Sequence, residues 1–384
     1  MTSLVRDALG PRRGSKVLVI IGLVVFLFVA VTGYTLFTNH NNLGNLVKVV
    51  SLIRSQYLEP VPTGQLVEGA IHGVVDSLGD PYSVYLDPET FRQLNEQIHG
   101  SFGGLGILVG IEGDYLTVVR PYEGTPAARA GVMAGDKITE INNEDVRGIS
   151  LDVAVSMMRG PVGTKVDLTI AREGVAEPLE FSIVREEIMV PTVEGHVLPD
   201  TEIGYLAISQ FTENTPDEVS DKLSELLRQQ IKGLILDLRN NPGGELRAAT
   251  KVADRFIPGG PIVHIDYRNG KDHTFEASED ALDLPLVVLQ NQHSASAAEI
   301  LAGAIKDHQL GTIVGTTSFG KGVVQTVYPL GDGAGLKLTT ARYLTPNKVD
   351  INMEGIEPDV VLEQPTNARE DMQLQKAIEI MQNL

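Results

Sequence analysis

Hydrophobic positions follow four successive rhythms along the chain. From Val17 to Phe37 the run VLVIIGLVVFLFVAVTGYTLF carries no charge, and about 20 such residues at 1.5 Å rise cross a hydrocarbon core of roughly 30 Å. A transmembrane helix is predicted there. Leu46 to Tyr57 and the stretch near Leu66 to Leu78 then place apolar residues at helical spacing. From Gly100 to Arg185 the rhythm shortens to alternating strands, GILVGI, YLTVVRP, KITEIN and KVDLTIAR, separated by glycine-rich turns and one helical stretch, Leu151 to Arg159. Beyond it, near-continuous apolar runs, GLILDL (Gly233 to Leu238), PLVVLQ (Pro285 to Gln290) and TIVG (Thr312 to Gly315), alternate with helical segments at Glu245 to Phe256 and Ala297 to Lys306. Fully buried strands joined through helices predict an α/β core.

The predicted organisation is a basic N-terminus (1–16), a membrane span (17–37), an N-terminal helical part (46–99), a β-rich domain (100–185), an α/β core (186–366) and a C-terminal helix (367–384). Within the helical part, Asp80-Pro81 and Asp87-Pro88 mark turns and a helix start. Arg6, Arg12, Arg13 and Lys16 face only Asp7 ahead of the span. The positive-inside bias then leaves the N-terminus cytoplasmic and the folded part outside, as a single-pass protein of the cell membrane. A cleaved secretory signal is the alternative; the run is longer than a usual signal core and lacks a clear small-x-small site.

The chain has no Cys, which removes disulfides, thiol nucleophiles, Cys-bound metals and lipid acylation. A net charge of −19 disfavours nucleic-acid partners, because the surface repels phosphate.

In the β-rich domain, Phe102-Gly103-Gly104-Leu105-Gly106-Ile107 joins a glycine turn to a strand. Such a loop can aim successive amides at one carboxylate while the strand edge pairs with a peptide. Gly124-Thr125-Pro126-Ala127-Ala128-Arg129-Ala130-Gly131 and Gly135-Asp136 follow, a short helix held on a tight turn. Together these segments resemble a PDZ domain. Gly104, Leu105, Gly106 and Ile107, with Val155 and Met158 on the facing helix, are the candidate peptide-binding residues. Leu105, Ile107, Val155 and Met158 suggest an apolar pocket for a hydrophobic tail; the alternative is that all four are core residues, as alternation along a strand equally allows for Ile107.

The strand PLVVLQN leads through Gln292-His293-Ser294-Ala295 to Ser296, where the helix-forming run AAEILAGAI begins. A Ser at such a junction is exposed at the strand end, beside helix amides that can face an oxyanion. Ser296-x-x-Glu299 also fits a capping box, in which the hydroxyl only satisfies backbone donors. A base is supplied by Lys321 in Gly320-Lys321-Gly322-Val323-Val324-Gln325, provided burial lowers its pKa enough to keep the amine neutral. Gln325 is placed to orient the amine. In Asp237-Leu238-Arg239-Asn240-Asn241-Pro242-Gly243-Gly244, the amides of Gly243 or Gly244 can join that of Ala297 as an oxyanion hole. His293 with Asp237 offers a competing His-based triad.

LDLRNNPGG, SASAAEI and GKGVVQ, in this order after a PDZ-like domain, resemble the carboxyl-terminal processing (tail-specific) protease family of Ser-Lys peptidases. The likeness runs from about Leu46 to Glu363 and includes LGDPYS, LTTARYLTPN and GIEPD. It implies Ser296 as nucleophile, Lys321 as base, Gln325 as the residue orienting the lysine, and Gly243, Gly244 and Ala297 as the oxyanion region. It further implies protein substrates with unstructured apolar C-termini, tail capture that gates the site, no metal or organic cofactor, and a homodimer through the helical termini. After the Pro of this late motif, where the family often has a Gly, the chain has Asn347-Lys348, a departure outside the catalytic positions. A catalytically silent membrane-anchored PDZ scaffold is the alternative from a different class, and an acyl-thioester enzyme on a related core is a third.

Overall fold

The computed structural model describes residues 23–24, 26–28, 40–268, 270–365, 368 and 370–384. Most of the predicted membrane span lies outside the described residues; Leu23, Val24, Phe26, Leu27 and Phe28 are helical and exposed. Among the described residues no helix is long and apolar enough to cross a membrane. Two compact units divide the chain, residues 1–79 and 80–384.

The first unit holds helices α1 (His40–Gln56) and α2 (Thr63–Asp76). Leu46, Val49, Leu52, Val67 and Val74 on these helices are exposed.

The second unit opens with β1 (Val84–Leu86) and α3 (Pro88–His99). Local chemistry sets both ends of α3: Asp87 accepts a hydrogen bond from Thr90 N with Pro88 in the first turn, and Gly100 closes it in the left-handed conformation at φ 72°. The chain then builds β2 (Ser101–Gly104), β3 (Ile107–Glu112), β4 (Tyr115–Pro121), α4 (Pro126–Ala130), β5 (Lys137–Ile141), β6 (Glu144–Asp145), α5 (Leu151–Met158), β7 (Lys165–Ala171), β8 (Leu179–Val184) and β9 (Glu186–Met189). Strands β3-β4-β5-β7-β8 form an antiparallel sheet with β6 on β5, and β2 pairs separately with β9. Alternation puts Val166, Leu168 and Ile170 of β7 inward, onto Leu116, Ile138, Ile141 and Ala154. The buried Arg185 donates to the carbonyls of Met157 and Met158, so the last turn of α5 is capped by a side chain from beyond β8.

The remaining chain gives β10 (Val193–Val197), β11 (Ile203–Ile208), α6 (Thr215–Arg228), β12 (Gly233–Asp237), α7 (Leu246–Ala253), β13 (Gly260–Tyr267), β14 (His273–Ala277), β15 (Leu286–Gln290), α8 (Ala297–Asp307), β16 (Gly311–Gly315), β17 (Val323–Pro329), β18 (Gly335–Leu344), β19 (Val360–Val361) and α9 (Met372–Gln382). The main sheet has the order β10-β11-β12-β15-β16-β19, parallel except for β10. Every residue of β12 and β15 is buried, the mark of a sheet covered on both faces. Helices α6, α7 and α8 cover Leu234, Leu236 and Val288; α9 covers Ile235, Val287, Leu289 and Val314 with Ala377 and Met381. One face of α9 is thus buried on its own sheet. A second, antiparallel sheet, β1-β18-β13-β14 with β17 on β18, flanks the first.

Candidate active site

The turn after β15 places Ser296 at the first position before α8 with φ 55° and ψ −114°. A side chain at positive φ stores strain, about 1–3 kcal/mol, and persists only where the surroundings fix it. They do so here through the neighbouring turn after β12. Ala295 N donates to Asn241 O at 2.9 Å, Ser294 Oγ donates to Leu238 O at 2.8 Å, and Asn291 Nδ2 donates to Asn240 Oδ1 at 2.9 Å. Gly243, at φ 96°, packs so close that a Cβ there would stand 2.6 Å from Ala295 O and 2.8 Å from Ser296 Cβ. Only glycine fits.

The capping geometry predicted for Ser296 and Glu299 is present, and Glu299 Oε2 accepts from Ser296 N at 2.7 Å, but the Ser296 hydroxyl completes no side-chain cap hydrogen bond. The larger role of Glu299 was not legible in the sequence. Buried in α8, its Oε1 accepts from Ser318 Oγ and Gly320 N, each at 2.6 Å. Its Oε2 also accepts from Lys321 N at 2.9 Å and from Tyr343 OH at 3.4 Å. One carboxylate thus ties the backbone of Ser296 to the backbone of Lys321. The S-x-x-E spacing was the available signal; the partners from 318–321 and 343 come together only in the fold.

Lys321 enters a cleft of about 600 Å³ lined also by Ser296, Gly243, Gly244, Ala297 and Gln325. Its Nζ lies 4.9 Å from the centre of the Tyr82 ring. Burial holds its pKa below the ordinary lysine value, and Lys337 adds to that by repulsion, against the smaller opposing pull of Glu299 and Asp80. Among the described residues, no hydrogen bond joins Lys321 Nζ to the Ser296 hydroxyl or to Gln325. Gln325 instead points Nε2 toward Val323 O and Thr339 Oγ1, both at 3.4 Å. Of the three amides expected at an oxyanion hole, that of Gly243 donates to Asn241 Oδ1 at 2.8 Å. Those of Gly244 and Ala297 have no protein acceptor among the described residues.

The competing His-based triad is not assembled. His293 is exposed, and Asp237 is held by Tyr205 OH at 2.7 Å and by Arg239, whose guanidinium also grips Asp371 at the start of α9. No cluster of metal-ligating side chains occurs among the described residues.

These features fall in a chain with clear relatives. The family model described as Peptidase family S41 matches residues 202–362, that of the Activating protease CtpB N-terminal domain matches 32–90, and a PDZ domain matches 117–172. A carboxy-terminal-processing protease of Bartonella bacilliformis is 44% identical over 333 residues, 85% of this chain and 76% of the relative. The chain belongs to peptidase family S41. The carboxy-terminal processing protease CtpB of Bacillus subtilis is 40% identical over 327 residues, 83% of this chain and 67% of the relative. A solved structure, photosystem II D1 C-terminal processing protease, aligns at 32% identity with a TM-score of 0.50, covering 83% and 86% of the two chains. This S41 chain is a serine-type peptidase that carries a PDZ domain.

In that PDZ domain the predicted peptide-binding residues divide. Leu105, in the loop between β2 and β3, and Met158, at the end of α5, are buried in the domain's core cluster. Ile107 and Val155 are half-buried at its edge. Gly104 is buried against Phe102, and Gly106 takes φ 73° beside Thr125, whose hydroxyl donates to Gly106 O at 3.1 Å. The amides of Leu105 and Gly106 donate to no protein acceptor among the described residues.

Proposed function

We propose that this peptidase is anchored in the cell membrane by residues 17–37 and cleaves proteins outside the cytoplasm near their C-termini. The PDZ domain captures an unstructured apolar tail, whose terminal carboxylate meets the unpartnered amides of Leu105 and Gly106. Neutral Lys321 then takes the proton of Ser296 Oγ as the oxygen attacks the scissile carbonyl. The developing oxyanion faces the amides of Ala297 and Gly244, and water hydrolyses the acyl-enzyme. Gln325 orients the amine in the working state. Tail capture gates the site by bringing Ser296, Lys321 and Gln325 into hydrogen-bonding reach of one another. The exposed apolar residues of α1 and α2 fit a homodimer contact through the N-terminal helices.

One observation carries the reading: Ser296, strained at a strand-to-helix junction beside a helix amide with no protein acceptor among the described residues, shares a cleft with a half-buried lysine that forms no ion pair among them. The test compares full-length wild type and Ser296→Ala in detergent micelles on an unfolded reporter ending in apolar residues. Cleavage by wild type alone is expected. Equal cleavage by both would remove Ser296 from the chemistry. Tail binding without cleavage by either would favour a silent scaffold.

A further inference from the structure

The charge of the cleft contradicts the charge of the chain. The protein carries 50 acidic against 31 basic residues, yet the charged side chains lining the cleft are Arg247, Lys321 and Lys337 against the single Glu245. Glu245 is already engaged: its Oε2 accepts from Ala248 N at 2.5 Å and caps α7. Arg247 and Lys337 have neither an ion pair nor a side-chain hydrogen bond among the described residues.

Both cations sit where local physics disfavours them. Arg247 is in the first turn of α7, at the positive end of the helix dipole. Lys337 lies on β18 opposite Val327 of β17, two positions along from the pair Gln325–Thr339, and repels Lys321 across the cleft. Departures from local preference that gain nothing for the fold belong to function. Arg247 lies just past Gly243 and Gly244 in the chain, and Lys337 on the sheet that carries Gln325. A cleft lined by one sign of charge concentrates the opposite sign.

We propose that Arg247 and Lys337 read a carboxylate side chain of the substrate, so that this peptidase prefers tails with Asp or Glu flanking the scissile bond. The inference rests on the protease reading and adds a substrate class to it. The chain's terminal carboxylate is taken up at the PDZ domain, so the anion in the cleft is a side chain. A second effect follows. Lys321 is faced by the Tyr82 ring, by Asp80 and Glu299, and by Lys337. A substrate carboxylate paired with Lys337 offsets its repulsion and lets Lys321 hold its proton to higher pH.

The experiment uses the full chain in detergent micelles and three reporters with the same apolar C-terminus, bearing Glu, Gln or Lys on either side of the cleaved bond. Wild type is expected to rank them Glu, Gln, Lys, with kcat/KM differing on the order of ten-fold between the extremes at low salt and less at high salt. The ratio falls in Arg247→Gln and in Lys337→Gln, approaches one in the double variant, and survives in Lys337→Arg. The acidic limb of kcat for the Glu reporter lies at higher pH than for the Gln reporter, a displacement absent from Lys337→Gln. A flat ranking by wild type, or a ranking unchanged in the double variant, overturns the proposal while leaving the protease intact. Cleavage of no reporter by wild type overturns the protease reading itself and the inference with it.

Discussion

The PDZ domain and the protease core each hold backbone amides that have no protein acceptor among the described residues, and they hold them by different means. In the PDZ domain, Leu105 and Gly106 are placed by a glycine at φ 73° and by the hydroxyl of Thr125, close in space and at the edge of a small sheet. In the core, Ala297 and Gly244 are placed by two turns locked through buried Asn241, Ser294 and Glu299. A tail binder tolerates a loop that yields to each ligand, whereas stabilising a developing charge requires donors that do not reorganise. The difference is measurable by making the same kind of change in both places.

The largest effect is expected at Gly243→Ala. The new Cβ meets backbone at Ala295 O and Ala297 N, within 2.6 and 2.9 Å, at a φ of 96°; neither neighbour can rotate away. The Ser296 turn must shift, and loss of an aligned oxyanion donor alone costs about 10²–10³ in kcat. Steady-state kinetics on a tail-bearing reporter, with KM as internal control, checks this. A kcat within a few-fold of wild type would mean the core is no more rigid than the PDZ loop.

Glu299→Gln comes next. The amide keeps one acceptor oxygen and turns an NH2 toward donors that faced the other carboxylate oxygen: Ser318 Oγ and Gly320 N, or Ser296 N, Lys321 N and Tyr343 OH. Leaving buried donors unpaired is expected to remove about 2–3 kcal/mol of stability, read by urea denaturation. A loss below about 1 kcal/mol would show that the hub does not hold the two segments together.

This hub also marks where sequence reading stops. Runs such as GLILD and LVVLQ declared buried strands, Asp87-Pro88 declared the start of α3, and the Ser296 junction was visible because strand and helix signals abut there. Each depends on neighbours in the chain. The second sheet went unread because β13, β14, β17 and β18 are largely half-buried and gain their identity from distant pairings such as Ile265 with Tyr343. Glu299 looked like a cap because Ser318, Lys321 and Tyr343 reach it only through those pairings. Leu105 and Met158 read from sequence as either pocket or core, and their burial in the domain's core cluster depends on packing by both sheet and helix.

The matched change in the PDZ domain is Gly106→Ala. Its Cβ would meet Thr125 Cβ at 2.3 Å, an atom that no side-chain rotation moves, so the loop itself must shift, in addition to the cost of alanine at φ 73°, about 1–2 kcal/mol. The expected signature is the inverse of the core variant: KM for the tail-bearing reporter rises while kcat is nearly unchanged. A fall in kcat as large as that of Gly243→Ala would erase the distinction between the two regions.

The smallest effect in energy separates stability from function within the core itself. Burial depresses the pKa of Lys321 in the folded chain, so between the folded and unfolded values the unfolded chain binds the extra proton. Stability therefore rises with pH across that window, and below the folded value the protein bears the penalty of a half-buried cation that has no ion pair among the described residues. Lys321→Met removes that penalty and keeps most of the apolar stem, against the loss of the contact with the Tyr82 ring. The variant should be inactive yet more stable than wild type at neutral pH by about 1 kcal/mol, with the gain shrinking as pH rises toward the lysine range. Thermal unfolding of both chains at several pH values reads this directly. A variant less stable than wild type at neutral pH would mean that the Lys321 ammonium is solvated or paired in the resting protein, and that the cleft does not by itself prepare the base.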